Sequence, residues 1–237
     1  MRCGAHSIAP GSPCGRPDDG RTAGRTVTVR PFGDRAFLIE LEQRRDPALI
    51  ARSRAIADAW ESRDLGPAVP AYASVVVRFD PERTPYADAL GVATELLEAG
   101  IDPVETASGS FLEVETRYDG PDLEETAERS GLDVDALVAL HAATTYTAWF
   151  LGFLPGFAYL GPLDPRIVAP RRASPRARVP AGTIAIADGQ SAIYPTDSPG
   201  GWQLIGSADP SALALFDPTR DPPTRIRAGD RIRFVPR

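Results

Sequence analysis

The stretch WFLGFLPGFAYLG at residues 149–161 decides the fold, together with PRRASPRARVPAG at 170–182, TIAIADGQSAIYP at 183–195 and SPGGWQLIG at 198–206. Glycine, proline and aromatic residues alternate here too densely for a helix, because proline removes a backbone donor and glycine favours turns. Short apolar runs between these turns, including the pair around Asp188-Gly189, indicate a mainly antiparallel β-barrel.

The same stretch is typical of a binding cleft. Its aromatic residues would supply apolar walls, and its glycines would let the backbone approach a ligand closely. An ordinary barrel core with Pro/Gly turns has the same composition, since turn chemistry is similar in both. From composition alone, both interpretations stay open.

The charge of the chain restricts its partners. The 237 residues carry a net charge of -6, which argues against a general nucleic-acid binder. All 26 basic residues are arginine, which excludes a P-loop lysine and lysine Schiff-base chemistry. Residues 26–144 have 11 arginines against 23 acids, whereas 145–237 have 11 arginines against 7 acids. The C-terminal part is therefore predicted to attract a small anionic ligand.

The first 25 residues are predicted to be a disordered tail. They are rich in Gly, Pro, Ser and Arg, contain both cysteines, and have no apolar run for a signal peptide or membrane anchor. The longest apolar run, at 148–161, is shorter than the roughly 18 residues that span a bilayer. We therefore expect a cytoplasmic protein with no membrane partner.

Residues 26–108 are predicted to form a small α+β domain of ferredoxin-like type. Strands flank a turn at 31–34, a helix begins with Asp46 as N-cap, and a valine-rich strand follows at 72–80. A second helix is predicted with Thr84 as N-cap and Pro85 at its first position. The polar segment ETASGS predicts a domain boundary near residues 105–112.

Residues 109–237 are predicted to form the barrel domain. It begins with a strand at 111–118 and two short helices, the second capped by Asp133. The segment 224–236 is predicted to close the chain as a hairpin with Gly229-Asp230 as its turn.

Few residues in the body of the chain can do acid/base or metal chemistry. His141 is the only histidine outside the tail, and the body has no cysteine, so a His/Cys metal site is excluded and only a carboxylate Mg²⁺ site stays possible. His141 lies on an apolar helical stripe, where it is either a hydrogen-bonded core residue or a possible catalyst. Catalytic residues are otherwise unknown.

Several long motifs resemble the B subunit of ATP-hydrolysing 5-oxoprolinase, a family also called allophanate hydrolase subunit 1 that includes an inhibitor of a sporulation histidine kinase. The motifs, in order, are RPFGDRAFLIEL, PAYASVVVRFDP, YDGPDL, LHAATTY, GFLPGFAYLG, PRRASPR, VPAGTIAI, YPTDSPGGWQLIG, and AGD with RFVP. They cover most of residues 27–237. The resemblance implies a cyclophilin-like fold for the barrel at 109–237.

The resemblance also implies a function. It suggests a hydrolase subunit, inactive by itself, that works with a homologous C subunit, and with an A subunit, to open 5-oxo-L-proline to L-glutamate, with ATP and Mg²⁺ used at the level of the complex. A regulatory module that inhibits a histidine kinase, or an allophanate/urea-related amidohydrolase or carboxyltransferase subunit, stays an alternative.

The ligand is predicted to bind where PRR meets SPGGW. Paired arginines can hold a carboxylate or phosphate through bidentate bonds, although a solvated basic loop would have the same sequence. The predicted substrate-binding residues are Phe153, Pro155, Phe157, Tyr159, Arg171, Arg172, Gln190, Tyr194, Ser198, Gly200, Gly201 and Trp202.

Overall fold

The structure is a computed structural model that describes residues 27–42, 46–99 and 109–237. The predicted tail at 1–25 and the first half of the predicted boundary near 105–112 lie outside these residues, so both stay predictions. Among the described residues, no helix is long and apolar enough to cross a membrane.

The first part of the chain forms one antiparallel sheet with two helices. In chain order these elements are β1 (Thr28–Pro31), β2 (Ala36–Glu40), α1 (Pro47–Glu61), β3 (Ala68–Pro70), β4 (Ser74–Arg78) and α2 (Tyr86–Glu98). The strand order is β1-β2-β4-β3. The described elements of this unit follow the order ββαββα, whereas those of a ferredoxin-like fold follow βαββαβ. The edge position beside β2 is therefore held by the N-terminal strand β1.

The two helices of this unit begin differently. The Asp46 side chain accepts a hydrogen bond from the Ala48 N–H, with Pro47 at the helix start, as predicted. The prediction of Thr84 as N-cap of α2 was wrong by one residue. Pro85 itself holds the N-cap position, because its ψ of 145° is extended and the helix begins only at Tyr86.

The remaining chain forms a nearly closed barrel with strands of mixed direction. Its elements are β5 (Phe111–Thr116), α3 (Leu123–Arg129), α4 (Val134–Ala143), β6 (Thr145–Leu151), β7 (Ala158–Gly161), β8 (Arg176–Val179), β9 (Thr183–Ala187), β10 (Gln190–Ile193), β11 (Ser198–Gly200), β12 (Gln203–Ser207), α5 (Pro210–Leu213) and β13 (Arg231–Pro236). Seven strands pair in the order β12-β9-β10-β7-β6-β13-β5, and β8 pairs with β11. A bridge between Arg117 and Ser207 links the two ends of the seven-stranded sheet.

One predicted hairpin is present and one is not. Asp188 and Gly189 both have positive φ, 50° and 79°, and join β9 to β10 in the two-residue turn that the sequence predicted. The hairpin predicted at 224–236 was wrong, because β13 pairs in parallel with β5 and antiparallel with β6. Gly229 and Asp230 instead bond to neighbouring segments, with the Gly229 N–H donating to Ala148 O.

Alternation along the barrel strands separates two apolar faces. Ile184 and Ile186 on β9 belong to the main core, which also includes Leu123 and Leu137 from α3 and α4. Ala185 and Ala187, the alternate residues of β9, face a second cluster, which we call the aromatic face; its members are Phe157, Val179, Ala192, Tyr194, Trp202 and Leu204, with Leu154 and Tyr159 against them.

The four-stranded unit contacts the barrel through a small apolar cluster. Ile50 of α1 packs with Trp149 and Phe150 of β6, and Tyr72 and Tyr159 lie against them. Arg54 of α1 also donates a hydrogen bond to the carbonyl oxygen of Ala228 at 3.2 Å.

Candidate functional site

A cleft of about 260 Å³ opens on the aromatic face of the barrel. It is formed where the loop before β7, the segment before β8 and the strand β11 meet. Its lining residues are Phe153, Phe157, Tyr159, Arg171, Pro175, Tyr194, Pro199, Gly200, Gly201 and Trp202. Eight of the twelve residues predicted from sequence therefore line one cleft, and Pro175 and Pro199 are additions.

The other predicted residues lie elsewhere. Pro155 is exposed but is not part of the cleft lining. Arg172 lines a second, polar groove with Glu125, Arg129 and Gln203, and Arg171 lines both this groove and the cleft. Gln190 and Ser198 are buried and do not line the cleft.

Arg171 is the cation of the cleft. Its side chain is 53% exposed, and its Nε donates to Asp188 Oδ2 at 3.1 Å. The guanidinium carbon lies 5.8 Å from the centroid of the Trp202 ring, a cation–π contact. Within the described part of the chain, its two terminal nitrogens have no hydrogen-bond partner. These N–H groups can therefore pair with an anionic ligand.

Arg172 has a different environment from Arg171. Its Nη1 lies 3.3 Å from Asp122 Oδ1, and Nη2 of Arg176 lies 2.6 Å from the same oxygen. Asp122 is nearly fully buried, and its Oδ2 also accepts a bond from the Leu204 N–H at 2.7 Å. The buried carboxylate thus ties the start of α3 to the arginine segment and to β12.

Two tyrosine hydroxyls add donors to the cleft. Burial raises the pKa of Tyr159 and of Tyr194, and the nearby Arg171 offsets part of this rise. Both phenols are therefore neutral at physiological pH and able to donate a hydrogen bond. Neither hydroxyl has a partner among the described residues, although Tyr194 is only 1% exposed. Both tyrosines line the cleft, so their hydroxyls are available to a ligand there.

Position 200 requires glycine because the Tyr194 hydroxyl lies very close to its backbone. A Cβ built there would lie 2.2 Å from the Tyr194 hydroxyl oxygen, a distance that no side chain can occupy. At Gly201 the nearest atom would be 3.8 Å away, in Pro175. Gly200 therefore lets the backbone of β11 pass directly over the tyrosine hydroxyl.

Phe153 forms the exposed rim of the cleft. It is a non-glycine residue with φ of 67°, and it is 59% exposed. Its turn is closed by the Gly152 N–H donating to Phe157 O at 3.1 Å and by the Phe157 N–H donating to Leu154 O at 3.0 Å. These bonds thus hold the backbone of Phe153 in a left-handed conformation that costs free energy, as is often seen at functional sites.

Two of the predicted site residues outside the cleft lining carry buried polar atoms. Gln190 Nε2 and Ser198 Oγ have no hydrogen-bond partner among the described residues. Gln190 Oε1, in contrast, accepts a hydrogen bond from the Tyr72 hydroxyl. Arg52 Nε and Ser53 Oγ on α1 are also buried and unpaired in the part of the chain that the structure describes, so these atoms do not by themselves mark a ligand site.

His141 lies on the other side of the sheet and is fully buried. Its Nδ1 is 2.8 Å from the Tyr118 hydroxyl and its Nε2 is 3.0 Å from Ser191 Oγ. Burial lowers the pKa of His141 to about 3, so the imidazole is neutral. In this environment it is a hydrogen-bonded core residue, remote from the cleft lining.

Comparison with known protein families identifies one that matches most of the chain. Residues 27–226 match the carboxyltransferase domain, subdomains C and D. The chain belongs to this family.

Curated relatives of this carboxyltransferase-domain chain are named as the B subunit of 5-oxoprolinase, which confirms the resemblance seen in the motifs. The Escherichia coli O157:H7 protein is 49% identical over 129 residues, 53% of this chain and 58% of that protein. The Bacillus subtilis (strain 168) protein is 48% identical over 116 residues, 49% of this chain and 47% of that protein. The chain thus spans about half the length of the curated relatives it matches.

Solved structures support the fold of the carboxyltransferase domain. The protein TTHA0988 has a TM-score of 0.72 and 36% identity, covering 89% of this chain and 40% of that one. Kluyveromyces lactis urea carboxylase has a TM-score of 0.67 at 18% identity, covering 89% of this chain and 22% of that one. The second likeness concerns the fold alone.

Two carboxylates that pair with the arginines of this carboxyltransferase domain were missed from the sequence. Asp122 was not singled out, because no local pattern connects it to arginines about fifty positions later. Asp188 was interpreted as a turn residue, yet it also binds Arg171. Only the barrel fold brings these carboxylates to their partners.

Proposed function

We propose that this chain is the B subunit of an ATP-dependent 5-oxoprolinase complex that hydrolyses 5-oxo-L-proline to L-glutamate with ATP cleavage. The observation that carries the proposal is the cleft, in which Arg171 and two unpaired tyrosine hydroxyls stand among aromatic and proline side chains. The similarity to proteins named as the B subunit of 5-oxoprolinase supports the choice of substrate.

The chemistry of the cleft suits a small cyclic amide that carries a carboxylate. The free nitrogens of Arg171 can pair with the carboxylate, and the ring of the ligand can pack against Trp202 and Phe157. The neutral hydroxyls of Tyr159 and Tyr194 can donate to the amide oxygen. The apolar walls exclude water and so strengthen each of these polar contacts.

ATP and Mg²⁺ are assigned in this proposal to the complex. Among the described residues, no group of three or more His, Cys, Asp or Glu side chains could hold a metal ion. The cleft lining contains no carboxylate, and its volume of about 260 Å³ is below the usual range for larger ligands. The cleft residues therefore do not fit ATP–Mg²⁺, and the proposal leaves the nucleotide to the other members of the complex.

The proposal includes partner subunits. We expect the chain to need the homologous C subunit, together with the A subunit, and to cleave no ATP alone, because the cleft offers binding groups without a general base. The cyclophilin-like description of the barrel belongs to the same proposal and rests on the family resemblance. The ferredoxin-like description of the first unit rests instead on its alternation of strands and helices, with β1 in place of the C-terminal edge strand.

The proposal is tested by co-expression with the homologous C subunit, together with the A subunit. The purified complex should release phosphate from ATP only when 5-oxo-L-proline is added, and the chain alone should release none. Arg171→Ala in the same complex should raise the concentration of 5-oxo-L-proline needed for half-maximal rate. A complex that assembles but shows no dependence on 5-oxo-L-proline would contradict the proposed substrate.

A further inference from the structure

The backbone on which Arg171 stands is held by the residues just before it. The Ala169 carbonyl oxygen accepts a hydrogen bond from the Asp188 N–H at 2.8 Å. The Pro170 carbonyl oxygen accepts one from the Gln203 side-chain amide at 2.7 Å. The position of the Arg171 backbone is therefore fixed, and the long, rotatable side chain decides where its charge lies.

The Asp188 carboxylate also projects from a fixed point. Asp188 and Gly189 form the two-residue turn between β9 and β10, and the residues on either side, Ala187 and Gln190, pair with each other in the sheet. Asp188 has a φ of 50°, which aspartate adopts more readily than most residues that carry a side chain. The carboxylate that meets Arg171 thus belongs to a closed turn.

Asp188 and Trp202 together orient the guanidinium of Arg171. Its Nε donates to Asp188 Oδ2 at 3.1 Å, and its central carbon lies over the Trp202 ring, 5.8 Å from the centroid. Because a guanidinium is planar, holding one N–H and one face fixes the direction of the terminal nitrogens. Burial raises the pKa of Tyr159 and of Tyr194, and the charge of Arg171 offsets part of that rise. The charged end of Arg171 therefore lies near both hydroxyls of the cleft that it lines.

The Asp188 carboxylate has two opposed effects on an anionic ligand. It lowers the positive potential that the ligand meets, but water screens this effect because the two side chains are 53% and 30% exposed. It also restricts the Arg171 side chain before the ligand arrives, so less rotamer entropy is lost on binding. For a partly exposed pair, the second effect should outweigh the first.

We propose that Asp188 is a positioning residue for the cleft, which holds Nε of Arg171 so that both terminal nitrogens face a ligand carboxylate. The edge formed by those two nitrogens matches the two oxygens of a carboxylate. This inference rests on the proposed function for the identity of the ligand, a small molecule with one carboxylate group.

The test uses Asp188→Gly, which removes the carboxylate and suits the positive φ of the turn. Calorimetric titration of the assembled complex with 5-oxo-L-proline should show binding weakened about fivefold. Asp188→Asn should recover most of the affinity, since its amide oxygen can still accept a hydrogen bond from Nε. Unchanged or tighter binding in Asp188→Gly would overturn the inference, because the carboxylate would then do nothing for the ligand or compete with it for Arg171.

A double variant shows whether Asp188 acts through Arg171. Adding Asp188→Gly to Arg171→Ala should cause little further loss of affinity, because the group that the carboxylate orients is already gone. Additive losses in the double variant would overturn the inference.

Asp64→Gly is the matched control. Asp64 also has a positive φ, 55°, and its carboxylate also accepts a hydrogen bond from an arginine, Arg83, at 2.7 Å. Neither residue lines the cleft. The dissociation constant of this variant should equal that of the unaltered protein. A loss of affinity as large as that of Asp188→Gly would make the effect a general one of changing such a turn and reject the positioning role.

A measurement without ligand separates this inference from the proposed function. The Nε–H group of Arg171 gives a ¹H–¹⁵N resonance, assigned by its absence in Arg171→Ala. In Asp188→Gly this resonance should move and its exchange with solvent should quicken, since the group has lost its acceptor. If the unaltered complex fails to bind 5-oxo-L-proline, the proposed substrate fails; if the Arg171 resonance stays unchanged in Asp188→Gly, the positioning role fails.

Discussion

The backbone N–H of Arg172 donates a hydrogen bond to the carbonyl oxygen of Gly201 at 2.7 Å. This bond joins the arginine segment to the SPGGW segment. It places Arg171 beside Trp202, with the guanidinium carbon 5.8 Å from the centroid of the ring. The side chain of Arg172 turns instead to the buried Asp122. Two adjacent arginines thus have separate roles, one facing the cleft and one joining segments.

Arg171→Ala is expected to weaken binding of 5-oxo-L-proline by about 1.5–3 kcal/mol, the scale of a charge-assisted hydrogen bond. The melting temperature should change little, because the side chain is half exposed and its pairing with Asp188 lies at the surface. Calorimetric titration and thermal unfolding measure the two effects. Arg178→Ala is the control, since Arg178 pairs with Asp197 and does not line the cleft. Equal affinity losses in both variants would reject Arg171 as the anion partner.

Gly200→Ala is expected to displace the Tyr194 ring and to reduce ligand affinity at least about tenfold, because the new Cβ would stand 2.2 Å from the hydroxyl oxygen. Gly201→Ala should be nearly neutral, since its Cβ would meet Pro175 at an ordinary 3.8 Å. Titrations of the two variants side by side provide the comparison. If Gly200→Ala binds as tightly as Gly201→Ala, the Tyr194 hydroxyl has no part in binding.

Asp122→Asn is expected to lower the free energy of unfolding by about 2–4 kcal/mol, because it leaves Arg172 and Arg176 without their buried partner. The arginines are partly exposed, which keeps the loss below that of a fully buried pair. Urea unfolding monitored by tryptophan fluorescence gives the value. Asp119→Asn, at an exposed carboxylate nearby, should cost less than about 1 kcal/mol. Similar losses in the two variants would contradict a joining role for Asp122.

His141 is expected to make stability fall as the pH drops below about 6.5. Its pKa is lowered to about 3 in the folded protein, so between these values the unfolded chain binds the additional proton. The stability that the neutral, buried His141 contributes to the fold is fully present above pH 6.5 and is lost progressively as the pH falls toward 3. At pH 5 the free energy of unfolding should be about 2 kcal/mol below its value at pH 7.5 from this group alone.

His141→Gln provides the comparison for that pH dependence. It keeps a polar side chain near Tyr118 and Ser191 but cannot take up a proton in this range. Urea unfolding at pH 7.5, 6 and 5 should therefore show a shallower decline than the unaltered protein. Parallel declines in the two proteins would mean that other groups account for the acid sensitivity.

The elements with strong local signals could be predicted from the sequence. Asp46 and Asp133 cap helices through their own side chains, and Asp188-Gly189 turns a hairpin, because each of these contacts spans only a few residues. The cleft aromatics could also be named, since Pro/Gly-rich segments with aromatic residues favour an irregular, apolar surface. The parallel pairing of β13 with β5 could not, because the apolar alternation at 231–236 fits any neighbouring strand.

What the sequence determined by itself is most of the residues around the cleft, the use of arginine alone as the basic residue, and the family. What only the tertiary structure decided is which partner each polar group takes. Arg171 and Arg172 are neighbours in sequence with the same chemistry, yet Asp122 comes within reach of only one of them. Tyr72 reaches Gln190 from another unit for the same physical reason: a hydrogen bond acts over about 3 Å in space, whatever the separation along the chain.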